Sequence, residues 1–312
     1  MTATGVRTGR LAGRLLHTSG DPPGCGDWVG IAEPGLAGEV RIDVVLPRRS
    51  ALRRLAAGRH DREQLIAANI DTMLVVGGLD GDHQPRRLRR YVILASGGGC
   101  RPVVVLNKSD LHADPMRAVA ELVGLPPGVH VHAVSAQVPS TLAPVLGELR
   151  AGETVALLGS SGAGKSTLIN ALLGDLRQTT GPVREHDARG RHTTTVRELI
   201  PHLASGAVLL DTPGMRELAL TEDADDLAAG FTDILAYTTA CRFRDCRHAS
   251  EPGCAVQAAV ARGELAAERV ADMHKLEQEQ RREARRARFL ANKRRRRPDP
   301  DPRSSSDSRD DS

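Results

Sequence analysis

The sequence predicts an α/β protein whose main body is a mostly parallel sheet covered on both faces by helices, with a short β-rich segment before it and a helical segment after it. Three observations carry this reading. From Ile70 onward, apolar runs of strand length alternate with stretches long enough for helices. Before that, Val40, Ile42 and Val44 alternate with Arg41 and Asp43, the period of a half-buried strand. Beyond residue 221 the chain turns helical, with Asp223, Asp225 and Asp226 near the start, where they are favourable against the helix dipole.

The 312 residues suffice for two or three domains, and 40% apolar composition can fill at least one sizeable core. No apolar run approaches the roughly 18 residues needed to cross a bilayer, and Arg7, Arg10 and Arg14 break any signal-peptide core. A monomer in the cytoplasm, away from membranes, is expected. The net charge of +4 is unevenly placed: Lys275 to Arg297 holds eleven Lys or Arg against Glu277, Glu279 and Glu283. Such a block is either a solvated basic helix or a surface for polyanions such as nucleic acid. Five cysteines, three of them crowded at Cys241, Cys246 and Cys254, make poor disulfide arithmetic and suit a reduced compartment and a metal.

Taken in order, residues 1–46 read as a β domain punctuated by turns at Gly20 to Gly26 and Pro34 to Gly38. Residues 47–69 read as a basic linker, with a short helix between Pro47 and Asp61. In residues 70–220 the strand candidates are Ile70 to Val76, Pro102 to Leu106, Val129 to Val134, Thr154 to Leu158, Val196 to Ile200 and Ala207 to Leu210. Helical periodicity marks Arg86 to Ala95, Pro115 to Val123, Leu142 to Leu149 and Lys165 to Leu173. Residues 221–274 carry the cysteine cluster, and 275–312 a basic helix and a tail. From Pro298 the tail is nearly all Pro, Asp, Ser and Arg and is expected to be disordered.

Gly159-Ser160-Ser161-Gly162-Ala163-Gly164-Lys165-Ser166, followed by Thr167, fits G-x-x-x-x-G-K-S/T directly after a strand and before a helix. Its glycines let backbone N–H groups turn toward one anion, Lys165 supplies a cation for the β and γ phosphates, and the helix adds its positive end. Ser166 can ligate Mg²⁺. Asp211-Thr212-Pro213-Gly214 ends another strand, where the second carboxylate on the Mg²⁺ side belongs, and Gly214 is placed to meet a γ-phosphate. Between them lies the polar stretch Gly181 to Thr195. A threonine there, Thr194 among them, could reach Mg²⁺, or the run could equally be a β-edge.

Asn107-Lys108-Ser109-Asp110 and Ser135-Ala136 follow two successive strands and resemble guanine-reading elements. A carboxylate can accept two hydrogen bonds from the N1–H and amino group of guanine, which adenine cannot donate. These elements precede the phosphate loop, whereas the usual order is the reverse, so the domain reads as circularly permuted. Rejoining surface termini elsewhere leaves a core unchanged.

Cys241, Cys246, His248 and Cys254 offer three thiolates and one imidazole, a set that suits a closed, structural, tetrahedral Zn²⁺ site; the alternative is buried free thiols beside a surface histidine. Arg242, Arg244 and Arg247 interleave with them and could meet RNA phosphates.

With this motif order, and Cys-x₄-Cys-x-His-x₅-Cys after it, residues 26 to 275 resemble the RsgA (YjeQ) family of small-ribosomal-subunit biogenesis GTPases. The resemblance implies an N-terminal OB-fold, a permuted GTPase domain and a zinc domain. It also implies GTP hydrolysis to GDP, stimulated by the small subunit and its rRNA during late maturation. About 46 residues are short for a complete OB barrel. Met215 stands where many GTPases place a water-orienting glutamine, which implies slow intrinsic hydrolysis completed by another group, with His192 a candidate. Two other readings stay open: an RNA-binding placeholder in which hydrolysis is incidental, and a GTPase of large-subunit assembly.

Overall fold

The computed structural model describes residues 7–13, 15, 22–32, 39–55, 63–81, 83–174, 198–211 and 228–295. Its centre is a six-stranded sheet made of β6 (Thr72–Gly78), β7 (Arg101–Asn107), β8 (His130–Ala133), β9 (Thr154–Gly159), β10 (Glu198–His202) and β11 (Ala207–Asp211), in the order β10-β11-β9-β6-β7-β8. All neighbours are parallel except the edge strand β10, which runs antiparallel to β11.

Every residue of β6 is buried, as a central strand covered on both faces requires. Its alternate side chains feed two cores. Met73 and Val75 join Val104, Leu106, Ala156 and Leu158 on one face, and Leu74 and Val76 join Val103, Val105, Val155 and Leu157 on the other. Helix α1 (Pro85–Gly97) closes the first core with Leu88, Tyr91, Val92 and Ala95, joined by Ala118 of α2 (Pro115–Ala120). The second core is closed by Val145 of α3 (Ala143–Leu146) and by Leu168, Ile169, Leu172 and Leu173 of α4 (Lys165–Leu173).

Two expected helices come out shorter. The segment from Pro115 stops at Ala120, and Leu142 to Leu149 reduces to α3 after the 3-10 turn Pro139–Thr141, with Pro144 in its first turn and Gly147 at its end.

The N-terminal strands β1 (Gly9–Leu11), β2 (Val29–Ala32) and β3 (Val40–Val45) form one sheet in the order β1-β3-β2. In the described part of the segment from Pro47 to Asp61, residues 47–55, a strand stands where a short helix is expected. Strands β4 (Ala51–Leu55) and β5 (Glu63–Ala68) pair antiparallel. The reason lies in distant contacts. Ala68 N–H donates to the carbonyl of Cys25 at 2.9 Å, Asn69 Nδ2 to that of Gly26 at 3.0 Å, and the Ser50 hydroxyl to that of Ile70 at 2.6 Å. Gly26 adopts φ +90°, and a Cβ there would sit 2.0 Å from the Ala68 carbonyl oxygen. Among the described residues five strands thus precede the main sheet, three in one sheet and two in another.

Helices α5 (Thr232–Thr238), α6 (Ala255–Ala261) and α7 (Ala267–Arg295) gather round Phe231, Ile234, Val256, Ala259, Val270 and Met273, with Ile93 of α1 in the same cluster. Arg89 and Arg90 of α1 pair with Asp272 and Glu279 of α7, each at 2.6 Å. Among the described residues no helix is long and apolar enough to cross a membrane.

At the amino ends of the strands, Glu148 Oε2 accepts from Arg101 at 2.6 Å, while Oε1 faces His130 Nδ1 at 2.7 Å and His132 Nε2 at 2.9 Å. Burial alone would raise this carboxyl, but hydrogen bonds from His132, Arg101 and His130 outweigh it and hold the group down to about 2. A depressed folded-state value contributes stability above the unfolded value, near 4.3 for a free glutamate, and that contribution fades as pH falls toward 2. Glu148→Gln is therefore expected to melt several degrees below the parent protein at pH 7, with the gap narrowing at pH 3. Thermal melts of both at the two pH values check this.

Candidate functional site

The chain turns sharply after β9, and the residues of the turn explain why. A Cβ at Gly159 would lie 2.1 Å from the carbonyl oxygen of Val76 on the neighbouring strand. Gly162 and Gly164 take φ of +84° and +87°, where side chains are strained. Helix α4 starts at once with Lys165, and Gly164 at its N-cap supplies no side-chain cap, so the first N–H groups of the helix remain for a ligand. The Lys165 ammonium donates to the carbonyls of Gly159 and Ser160, both at 2.7 Å, which folds its side chain back over the loop. Ser161, Ser166 and Thr167 are exposed, and Ala163 is buried beneath them.

Strand β6 lies between β9 and β7, yet the ends of the outer two meet through one side chain. Asn107, the last residue of β7, is 2% exposed. Its Nδ2 donates to the carbonyl of Ala163 at 3.0 Å, and its Oδ1 accepts from the N–H of Ala136 at 3.0 Å. One amide thus ties together the phosphate loop, the segment after β7 and the segment after β8. Ser135 is buried, and its N–H donates to the Thr141 hydroxyl at 2.9 Å while its own hydroxyl accepts from Gln137. Ser109 N–H reaches the carbonyl of Val134 at 3.0 Å, fixing the 3-10 turn Ser109–Leu111 that carries the exposed Asp110.

Lys108 adopts φ +63° and forms an ion pair with Asp80, just beyond β6. The Lys108 ammonium, hydrogen-bonded to Asp80, holds that carboxyl below the usual carboxylate range. Asp80 lies outside the motifs of the sequence. Its only signal there is a Leu79-Asp80-Gly81 turn after an apolar strand, which is commonplace.

Asp211 is the last residue of β11, opposite Glu198 of β10. Strand β11 is parallel to β9, so its carboxyl end lies on the side of the sheet where the phosphate loop begins. Thr194, His192, Gly214 and Met215 lie outside the described residues.

The loop makes a graded prediction. In Gly164→Ala the new Cβ would sit 2.3 Å from Asn107 Nδ2, whereas in Gly162→Ala it would meet nothing within 4 Å. Both changes strain a left-handed backbone, at about 1–2 kcal/mol. Only the first also displaces the Asn107 amide, adding about 1–3 kcal/mol for each buried polar group left unpaired. Fluorescent-nucleotide titration is expected to show Gly164→Ala binding far more weakly than Gly162→Ala.

A second cluster stands in the C-terminal helical region. The ligand atoms of Cys241, Cys246, His248 and Cys254 all lie within 4.8 Å of one another and could hold a metal ion. His248 Nδ1 is 3.5 Å from Cys241 Sγ and 3.6 Å from Cys254 Sγ. A tetrahedral ion with its nitrogen at about 2.0–2.1 Å and sulfur at about 2.3 Å would place those atoms about 3.6 Å apart. His248 is turned inward by φ +57°, and its carbonyl accepts from Gln257 Nε2 at 2.6 Å. Cys254 is buried at the start of α6.

Comparison with known proteins follows the same lines. The RsgA GTPase family model matches residues 45–221. A protein of Xylella fastidiosa (strain 9a5c), named small ribosomal subunit biogenesis GTPase RsgA, is 54% identical over 252 residues, covering 80% of this chain and 72% of that one. The protein of the same name from Xanthomonas axonopodis pv. citri (strain 306) is 51% identical over 256 residues, 81% of this chain and 68% of its own. Among solved structures, YjeQ from Thermotoga maritima superposes with a TM-score of 0.67 at 26% identity, covering 89% of this chain and 91% of that one. YloQ, described as a circularly permuted GTPase, shares the fold with a TM-score of 0.62 at 24% identity, covering 88% of this chain and 85% of its own.

Proposed function

The chain belongs to the RsgA GTPase family, and from that premise we propose that it hydrolyses GTP to GDP and phosphate in the late maturation of the small ribosomal subunit, bound to that subunit's rRNA and stimulated by it. The observation that carries the nucleotide part is the Asn107 amide, which ties the phosphate loop to both segments expected to read guanine.

In this reading the backbone from Gly159 to Thr167 wraps the phosphates, Lys165 meets the β and γ groups, and Asn107, Lys108, Ser109, Asp110, Ser135 and Ala136 surround the base. Ser166, whose hydroxyl is exposed, would hold Mg²⁺ together with Asp211 and Thr194, and the ion would supply charge neutralisation at the phosphates. Gly214 senses the γ-phosphate. Met215 cannot polarise a water, so intrinsic turnover is slow, and His192 or a group from the bound subunit completes the site.

The first test is hydrolysis of GTP and of ATP, each with and without purified small subunits. Turnover of GTP alone, accelerated by the subunit, is the expected result. Equal rates with and without subunits would sink the stimulation, and a preference for ATP would sink the assignment of the base. Release from subunits with GTP against a non-hydrolysable analogue separates a working GTPase from an RNA-binding placeholder. Sedimentation with either purified subunit separates it from a large-subunit factor.

The same reading assigns Zn²⁺ to the Cys241, Cys246, His248 and Cys254 cluster, on the ligand chemistry and the tetrahedral spacing. Metal of this kind is folding free energy for the elements round it. Cys254→Ala, or treatment with a strong chelator, is expected to release one equivalent of zinc and to lower the first thermal transition. Helix α4 packs on the sheet in a core separate from the one that holds Cys254, and nucleotide affinity of the remaining fold is expected to change little. Zinc release by a chromogenic chelator, followed with the melt, checks this.

A further inference from the structure

The parallel strands bring a second group of metal-ligating side chains together at the end of the sheet opposite the phosphate loop. His130 and His132 are two apart on the edge strand β8 and so lie on one face of it. Glu148 follows α3, and its side chain is 8% exposed. We propose that His130, His132 and Glu148 form a divalent transition-metal site of borderline softness, separate from the cysteine cluster and from the Mg²⁺ of the nucleotide.

The distances set the geometry. His130 Nδ1 and His132 Nε2 lie 2.7 Å and 2.9 Å from the same oxygen, Glu148 Oε1, and all three ligand atoms fall within 4.8 Å of one another. Two ligands each about 2.0–2.1 Å from one ion are about 2.9 Å apart at a right angle and about 3.3 Å apart at the tetrahedral angle. Both oxygen–nitrogen spacings match a right-angled pair as well as a hydrogen bond, and the two ring nitrogens lie within 4.8 Å of each other. Two imidazoles and a carboxylate so arranged suit Ni²⁺ or Cu²⁺ in tetragonal surroundings, and exclude the all-oxygen shells that Mg²⁺ and Ca²⁺ prefer.

The surroundings fit an oriented ligand. Arg101 donates to Glu148 Oε2 at 2.6 Å and to the Glu148 carbonyl at 3.0 Å, which aims Oε1 at the two rings. Outer partners of this kind fix a ligand's direction and shape affinity. Glu153 faces both Arg150 and Arg101, each at 3.7 Å, which balances the two carboxylates against two guanidinium groups and holds Arg101 in place. Its Nη2 also donates to the Thr72 hydroxyl at 2.9 Å, anchoring it to β6. The His130 side chain is 60% exposed, which leaves a path for the ion and open positions for water. A carboxylate-bridged pair of histidines without metal is the competing arrangement, and it predicts no binding.

The test uses the full-length chain without an affinity tag, its cysteine cluster filled beforehand with one equivalent of Zn²⁺ and no nucleotide present. Isothermal titration with Ni²⁺ is expected to show one further equivalent bound with micromolar affinity. His130→Ala is expected to weaken it by about tenfold or more, and His132→Ala to abolish it. His130 is mostly exposed, and His132 and Arg101 still hold Glu148 in its absence, so the variant is expected to melt closer to the parent than Glu148→Gln does and to stay folded through the titration. Absence of a stoichiometric Ni²⁺ event, or binding that survives unchanged in the His130→Ala, His132→Ala double variant, overturns the proposal. The result stands or falls independently of GTP hydrolysis, which draws on the other end of the sheet.

Discussion

Alanine in place of Asp110 is expected to lower GTP affinity by roughly 10² to 10⁴ and to remove most of the preference for GTP over ATP. The estimate rests on two charge-assisted hydrogen bonds from the guanine N1–H and amino group, each worth about 1.5–3 kcal/mol. Asp110 sits exposed on the turn that Ser109 and Val134 hold in place, and among the described residues its carboxylate has no hydrogen-bond or ion-pair partner. Truncation therefore leaves the protein's own bonding intact and acts on the ligand. Competition of GTP, ATP and XTP against a fluorescent GDP analogue measures it. A ratio of GTP to ATP affinity unchanged by the substitution would remove Asp110 from the base site.

Lys165→Ala is expected to reduce GTP turnover by about 10²- to 10³-fold, the scale on which removal of one preorganised donor to a charged transition state acts. The ammonium already rests on the Gly159 and Ser160 carbonyls, so the loop presents its cation before any ligand arrives. Leu168, Ile169, Leu172 and Leu173 hold α4 on the sheet, and Lys165 is not part of that core, so the fold is expected to survive the change. Single-turnover hydrolysis at saturating GTP isolates the chemical step from binding. Turnover within threefold of the parent would place the cation elsewhere.

Most of the candidate site is legible in the chain because its parts are local. A phosphate loop is a strand end, a run of glycines and a helix start in succession, and the helix Lys165 to Leu173 falls where its periodicity puts it. The cysteine cluster is equally compact, with four ligands inside fourteen residues. The hairpin β4–β5 was the opposite case. Arg53 and Arg54 mask the period of two, and the strands are held by partners at Cys25, Gly26 and Ile70 rather than by their own propensities. Asp80 was missed for a related reason, since a turn residue after a strand gains meaning only from the lysine that folding brings beside it.

By itself the sequence determined which chemistry is available: a phosphate loop, an Asn-Lys-Ser-Asp segment, a Cys₃His set and a permuted order, each readable because covalent neighbours make it. The tertiary structure alone decided that the phosphate loop and the Asn107 segment meet. Asn107 and Ala163 are 56 residues apart, and only the strand order β9-β6-β7 puts the amide of one within 3.0 Å of the carbonyl of the other. It also decided that His130, His132 and Glu148 share one oxygen, because contacts across a sheet depend on register, and register is settled by the packing of both faces at once.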